Sequence, residues 1–338
     1  MQESVKTIDN ATRNYTVDFF KFFSALLIIG IHTAPFSEVN KDLYFFVVNV
    51  FCRLAVPFFA VCSGFFISNT VIKKKNGIHT IIQQEKKLIK LYLIWTILYF
   101  FYDIPFAIKG GYFTIKNYIG YGIKALTSGS VYHLWYLISL IYALPLFYLC
   151  IKYLKRKSII ILLIVLYYVR ATSYGYVKWL PSALVFVINQ AQKFGALFNA
   201  VFLLLPLLLL GYIIATGNKS KKKICIIGFI ISFFLLSIEA FVLKRFGQDS
   251  VSFIFFTLPT AYFTFSIVIQ LNLVKDIKAG KLLGSVSLFI YCFHPMVIGV
   301  LPEGLFSLVK YVVVSLSSVL VAIGYYFTKK KIKQKRLK

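Results

Sequence analysis

YTVDFFKFFSALLIIGIHTAPF, residues 15–36, is an apolar stretch long enough to cross a bilayer as a helix. It carries three ionisable residues, Asp18, Lys21 and His32. Lys21 and His32 are about three helical turns apart, so their side chains lie on one face, about 16 Å apart along the axis. Asp18 precedes Lys21 by one turn on nearly the same face. Because charged groups inside an apolar span are costly, this stripe predicts a polar cavity between helices.

The composition is that of a polytopic membrane protein. Of the 338 residues, 59% are hydrophobic and 14% are charged, whereas about 25% are charged in soluble domains. The net charge is +27, but the basic residues cluster in short runs between apolar spans, as the positive-inside rule predicts. We therefore expect no nucleic-acid binding, because no soluble module remains to carry a groove-binding face.

Hydropathy predicts an all-α integral membrane fold with about ten transmembrane helices. The predicted spans are 16–36, 43–69, 88–108, 131–151, 158–176, 195–216, 224–244, 251–274, 283–301 and 307–327. Lys and Arg are concentrated in alternate connecting segments, which predicts that both termini are cytoplasmic. The expected organisation is a cytoplasmic N-terminal segment at 1–15, a membrane domain at 16–327 and a basic cytoplasmic tail at 328–338.

The longest segments predicted on the outer side are 109–130 and 177–194. The first is rich in Gly and Tyr, and two interpretations of it stay open. It covers an outward-facing site, or it is an amphipathic segment at the membrane interface.

No metal centre is expected. The five cysteines form no CxxC pair, and no HExxH motif, Gly-rich phosphate loop or metal-ligand cluster is present in the sequence.

The second span contains FCRLAVPFFAVCSGFF, residues 51–66. Arg53 lies inside the predicted membrane region, where it binds a substrate group or extends to the outer headgroups. Pro57 removes one intrahelical hydrogen bond. Ser63 and Gly64 permit close helix approach, and helix packing alone would explain both.

Two further spans carry histidines. HLWYLISLIYALP, residues 133–145, opens with His133, Trp135 and Tyr136 at the predicted outer interface, where a simple aromatic belt is the alternative. SLFIYCFHPM, residues 287–296, places His294 directly before a proline, which predicts a kink that presents backbone groups to a ligand.

Together these motifs resemble the large acyltransferase family of ten-helix bacterial membrane proteins that O-acylate surface polysaccharides. That family opens with Arg or Lys, ten intervening residues and His, and here Lys21 and His32 fill those places, with Asp18 where the family usually has Asp. The other matching motifs are RLAVPFFAVCSGFFI, KKLIKLYLIW, HLWYLISLIYALP and IYCFHPMVI. The resemblance runs from about residue 16 to 327, with Lys21 replacing the commoner Arg.

The resemblance implies a multi-pass protein of the bacterial plasma membrane. Its co-substrate would be acyl-CoA, usually acetyl-CoA, bound from the cytoplasm against Lys73–Lys90 and Lys21, and its acceptor a hydroxyl of a surface or lipid-linked glycan. The expected catalytic residues are His32 as the base, Lys21 and Asp18. The expected substrate-binding residues are Arg53, Ser63, His133, Trp135, Tyr136, His294, Glu38 and Glu239.

A second branch offers another function. The membrane half of the vancomycin-resistance serine racemases resembles this chain in the same motifs, including RLAVPFF, and is thought to import serine. The racemase half is not expected here. The alternative prediction is a transporter of a serine-like amino acid with the same fold.

Overall fold

A computed structural model describes residues 14–73, 77–248 and 251–335. Every regular element in these ranges is a helix, which confirms the predicted all-α membrane fold, and nine of these helices are long and apolar enough to cross a membrane. The main helices are α1 (Tyr15–Thr33), α2 (Ala55–Lys73), α3 (Gly77–Lys109), α4 (Ile115–Thr127), α5 (Trp135–Tyr153), α6 (Arg156–Gly175), α7 (Ser182–Gln192), α8 (Leu205–Thr216), α9 (Lys222–Arg245), α10 (Thr257–Val268), α11 (Ile277–Val300) and α12 (Ser307–Lys335).

Some predicted features fall partly on residues outside these ranges. They are most of the N-terminal segment, Lys74 and Lys75 of the basic stretch Lys73–Lys90, and the last three residues of the tail. The cytoplasmic position of both termini stays a prediction.

The chain divides into two compact units. One contains the described residues up to Phe59 and from Thr216 onward, and the other contains Ala60–Ala215. The predicted single membrane domain at 16–327 stays a prediction.

In the first unit, α1 packs against α11 and α12. The buried residues of this contact form one apolar cluster of Ala25, Ile29, Val286, Ile290, Val314 and Ala322. Ala25 and Ile29 share a helical face with His32, and Val286 and Ile290 share one with His294. The same packing that buries the apolar stripes therefore directs both histidines toward the contact between α1 and α11.

The predicted eighth span, 251–274, is only partly helical. Its helix α10 has 12 residues, about 18 Å at 1.5 Å per residue, which is too short to cross the hydrocarbon core alone. Val251 and Ile254 precede it in irregular backbone and are 2% exposed. Irregular backbone at membrane depth is tolerated where protein buries it. The hydropathy window detected the apolar composition of this segment but not the break in its helix.

Two segments of π-helix, Phe45–Phe51 and Ala200–Leu204, lead into apolar helices, the first through a 3₁₀ turn at Cys52–Leu54. Each segment is followed within six residues by a proline, Pro57 or Pro206. A proline has no N–H to bond the carbonyl four residues earlier, so each of these prolines removes one hydrogen bond close to the irregular segment. Pro105, Pro145 and Pro295 lie inside α3, α5 and α11 without such a segment, so proline alone does not determine where the π-helices form.

In the second unit, α2 and α8 cross in backbone contact. A Cβ on Gly64 would overlap the carbonyl oxygen of Leu208, and a Cβ on Gly211 would overlap that of Val61. The close approach predicted for Gly64 is confirmed, and it requires the glycines on both helices.

Helix α3 is longer than the predicted third span at 88–108. Its 33 residues extend about 50 Å, so Lys86, Lys87 and Lys90 lie on a helix rather than in a loop. Within the first predicted outer segment, α4 attaches to α3 through a 2.9 Å hydrogen bond from the Tyr121 hydroxyl to the carbonyl oxygen of Thr96. The segment is therefore a helix held against α3.

Candidate functional site

The first unit brings together His32 of α1 and His294 of α11. Their imidazole rings stack, with centroids 5.4 Å apart and planes 24° from parallel. His294 is completely buried, whereas His32 is half-buried. The pair therefore offers one accessible ring, supported on its face by a second ring that the helix packing holds in place.

The backbone of α11 orients His294. Its Nδ1 lies 3.2 Å from the carbonyl oxygen of Ile290, one turn earlier. Because a carbonyl oxygen only accepts, this hydrogen bond requires the proton on Nδ1. α11 runs without a gap from Ile277 to Val300 with Pro295 inside it, and the helix kink predicted at Pro295 stays a prediction.

Arg53 lies near His32 and acts on it electrostatically. It belongs to the 3₁₀ turn Cys52–Leu54, which packs against α1 at Gly30, where a Cβ would lie 3.1 Å from the Cys52 sulfur. A fixed positive charge beside an imidazole suits a reaction in which negative charge develops on oxygen. The sequence placed Arg53 and His32 in the same candidate set, and the structure brings them together.

Lys21 and Asp18 form the ion pair that their spacing predicts. Lys21 Nζ lies 3.5 Å from Asp18 Oδ1, and the Lys21 side chain is 26% exposed while that of Asp18 is 6% exposed. Ala25 and Ile29, buried in the apolar cluster, lie between this pair and His32 along α1. Part of the Lys21 side chain is therefore accessible to solvent or ligand, while its counter-ion is buried.

Two predicted substrate-binding carboxylates bind helix N-termini. Glu239 on α9 accepts hydrogen bonds from the backbone N–H groups of Phe255 and Phe256, at 2.7 and 2.9 Å, where α10 begins. Glu38 accepts hydrogen bonds from the hydroxyl and the backbone N–H of Ser307, the first residue of α12. A carboxylate stabilises a helix N-terminus by satisfying its amide donors and opposing its dipole. Substrate binding by Glu38 and Glu239 stays a prediction.

Glu38 lies outside the membrane-spanning helices. The hydroxyl of Ser307 holds the pKa of this carboxyl below its usual value, and the backbone N–H groups of Glu38 and Ser307 add to the effect. The folded protein thus stabilises the ionised form of the Glu38 carboxyl group.

The second unit contains the other predicted residues. His133 is 1% exposed and packs its ring edge-to-face on Tyr99, with centroids 5.2 Å apart. It lies in the turn before α5 rather than on that helix. The turn is fixed by Ser130, whose backbone N–H donates to the Tyr92 hydroxyl and whose side chain lies 2.9 Å from Thr96 Oγ1.

Ser63 and Tyr136 are also brought together. Their hydroxyl groups lie within interaction range of each other, and Trp135 packs edge-to-face on Tyr136 with ring centroids 6.1 Å apart. Ser63 therefore contacts another candidate residue, whereas its neighbour Gly64 serves the packing of α2 on α8. Aromatic faces next to hydroxyl groups suit the binding of a polar ligand that has an apolar face.

Asn49 and Arg170 are buried polar residues of the membrane helices that were not among the predicted site residues. Asn49 is 5% exposed in the π-helical segment, and Arg170 on α6 is 4% exposed with its guanidinium 3.3 Å from the centroid of the Tyr174 ring. Each is a single polar residue in an apolar run, FFVVNVF or IVLYYVRA. That signal is available in the sequence, although it does not separate packing from function. Over the ranges that the structure describes, no group of three or more His, Cys, Asp or Glu side chains lies close enough together to hold a metal ion.

A family model described as an acyltransferase domain matches residues 14–327, nearly the whole chain. No solved structure matches the chain.

The curated relatives that match are longer proteins, and they are named as racemases rather than as acyltransferases. An amino-acid racemase of Enterococcus faecalis is 32% identical over 216 residues, which cover 61% of this chain and 29% of the relative. A second amino-acid racemase of that species is 25% identical over 317 residues, or 90% and 43% of the two chains. A serine/alanine racemase of Enterococcus gallinarum is 24% identical over 297 residues, or 85% and 41%. This chain spans less than half the length of each of these relatives.

Proposed function

The chain belongs to the acyltransferase domain family, and from this premise we propose that it is a membrane O-acyltransferase. It would move an acyl group, in the first instance acetyl, from cytoplasmic acyl-CoA to a hydroxyl of a cell-surface or lipid-linked glycan. The observation that carries the proposal is the family match over residues 14–327. The stacked histidines with Arg53 beside them support it, because acyl transfer to a hydroxyl needs a base and a group that stabilises an oxyanion.

His32 is the proposed general base. Its accessible imidazole takes the proton of the acceptor hydroxyl, and the oxygen attacks the thioester carbonyl of acyl-CoA. Arg53 stabilises the negative charge on the carbonyl oxygen in the tetrahedral intermediate. The carbon–sulfur bond then breaks, and the CoA thiolate leaves with the proton from His32, so that an ester and a free thiol result.

Lys21 is proposed to bind the acyl donor. Its partly exposed amine suits an anionic or carbonyl group of acyl-CoA, and Asp18 holds it in position by the 3.5 Å ion pair. The basic residues between Lys73 and Lys90 would attract the CoA phosphates from the cytoplasm. This assignment requires the predicted cytoplasmic position of the N-terminus.

The aromatic residues of the second unit are proposed to form a sugar-binding surface of that unit. A sugar ring presents an apolar face and a rim of hydroxyls, and Trp135, Tyr136 and Ser63 offer ring faces and hydroxyl groups in one place. His133 belongs to the same set, although its burial against Tyr99 limits it to an edge of such a site.

The location of the protein would be the bacterial plasma membrane, with lipids around the helices.

Mass spectrometry of surface glycans tests the proposal. A strain without this gene is complemented with wild type, with His32→Ala or with His79→Ala, a histidine in α3 outside the candidate set. We expect alkali-labile acyl groups with wild type and His79→Ala and their absence with His32→Ala at equal membrane levels. Glycans that are the same in every strain would contradict the transferase proposal.

The racemase-named relatives favour a second candidate function. Because those proteins are named for serine, alanine or other amino acids and this chain matches less than half of each, transport of a serine-like amino acid is the alternative. Arg53 would then bind a carboxylate and His32 a proton. Uptake of labelled serine by the same strains separates the two functions, since transport requires no acyl-CoA.

A further inference from the structure

Asn49 is a buried amide in the π-helical segment Phe45–Phe51. It is 5% exposed, and its Nδ2 has no hydrogen-bond partner among the described residues. Buried amide donors are nearly always bonded, because an unbonded donor has lost its water without compensation. If packing alone decided this position, an apolar side chain of similar volume would serve better. The residue therefore needs an explanation beyond the stability of the fold.

The register of the helix relates Asn49 to the site. It precedes Arg53 by four residues in one continuous helical segment, and residues four apart lie on the same face, one turn from each other. The wider π turn and the tighter 3₁₀ turn between them offset each other in rotation. Asn49 therefore lies one turn from Arg53, on the face that carries the charge beside His32. Irregular turns of this kind are frequent at functional sites.

We propose that Asn49 is a substrate-binding residue that donates a hydrogen bond from Nδ2 to an oxygen of the acyl acceptor. This inference rests on the proposed function. A carboxamide donor one turn from a guanidinium is complementary to neighbouring oxygens, such as the hydroxyl and ring oxygens of a sugar. No bond to Asn49 forms or breaks in the reaction. Its role is to hold the acceptor while His32 takes the proton.

Kinetics of purified protein in lipid nanodiscs test this role. The probes are acetyl-CoA and surface glycan from the host strain from which the ester groups have been removed with alkali. Asn49→Asp keeps the shape of the side chain without the donor, and Asn49→Leu makes it apolar. We expect the KM for the glycan to rise about tenfold in both variants, which is the loss of one hydrogen bond, with the KM for acetyl-CoA unchanged.

Thermal unfolding of the same samples separates binding from structure. A donor that is bonded only when a ligand is present contributes little to the stability of the ligand-free protein. We therefore expect Asn49→Leu to melt at or above the wild-type temperature. Ser318→Ala is the matched control. Ser318, like Asn49, is buried with a polar side-chain atom, its Oγ, that lacks a partner among the described residues. It lies on α12 beside Val314 and Ala322 of the apolar cluster. Its removal should change neither KM.

Each other outcome counts against the inference in a recognisable way. A wild-type glycan KM in Asn49→Leu overturns the binding role and leaves the proposed function intact. A lower melting temperature with an unchanged KM assigns Asn49 to the fold and also overturns it. If wild-type protein transfers no acetyl group to the glycan, the proposed function fails and this inference fails with it.

Discussion

The imidazole of His294 stacks on that of His32 with 5.4 Å between the ring centroids, while its Nδ1 donates to the backbone of α11. One ring is therefore fixed by its own helix and supports the other. A base that must take a proton from a weakly acidic hydroxyl benefits from such a fixed orientation.

His294→Ala should lower kcat about 100-fold, because the base loses the surface that orients it. His294→Phe keeps a ring of similar size against His32 and should stay within about tenfold of wild type. Initial rates of acetyl transfer in nanodiscs measure both. A wild-type rate in the Ala variant at equal protein level would show that the stack is dispensable.

Removal of the Glu38 carboxylate should make unfolding less dependent on pH. The pKa of Glu38 is lowered in the folded protein, so its contribution is present above the unfolded value of about 4.3 and is lost as the pH falls through the lower folded value. Glu38→Gln should therefore melt below wild type at pH 7 and close to it near pH 3. Glu303→Gln, an exposed glutamate in the segment before α12, is the control and should match wild type at both.

Gly64→Ala should destabilise the second unit by about 1–3 kcal/mol, because the new methyl overlaps the carbonyl oxygen of Leu208 and the two helices must separate. Gly324→Ala tests the generic effect of the substitution, since no atom lies within 4 Å of the added methyl. It should be neutral or stabilising, as Ala favours a helix. Thermal unfolding in detergent compares the two, and equal melting temperatures would argue against the backbone contact.

Glu239→Ala should destabilise the start of α10, since two backbone N–H groups lose a charged acceptor, at about 1.5–3 kcal/mol for each such bond. Glu239→Gln keeps one acceptor oxygen and should lose less. Hydrogen exchange of the Phe255 and Phe256 amides reports the effect directly. If both amides stay protected from exchange in the Ala variant, the Glu239 carboxylate does not stabilise the start of α10.

Local pattern predicted much of the fold and part of the site. The spacing of Asp18, Lys21 and His32 places them on one face without any other knowledge, and the observed Lys21–Asp18 pair follows from it. The stacking of His294 on His32 depends on which helices pack together, which no single span reveals. The motifs put both residues in one candidate set but gave no contact between them.

Other features required the backbone itself. Hydropathy cannot distinguish a continuous span from α10 with its buried irregular approach, because both are equally apolar. Glu38 and Glu239 appear in the sequence only as candidate substrate-binding carboxylates, and only the positions of α10 and α12 show which amides they bind. In the sequence, Asn49 is only a polar residue in an apolar run. The structure is needed to show that it is buried and that its Nδ2 has no hydrogen-bond partner among the described residues.

The π-helical segment Phe45–Phe51 sets the rotational phase of the helix that carries Arg53. Both ends of this stretch are anchored, with Asp42 bound to Lys244 at 2.7 Å and Cys52 in contact with α1 at Gly30. Removing one residue between the anchors would force one of them to turn by about 100°. A single deletion here should therefore do more damage than most substitutions, although hydropathy and span length would hardly change. The number of residues in this segment, rather than the identity of its apolar side chains, therefore determines the rotational position of Arg53.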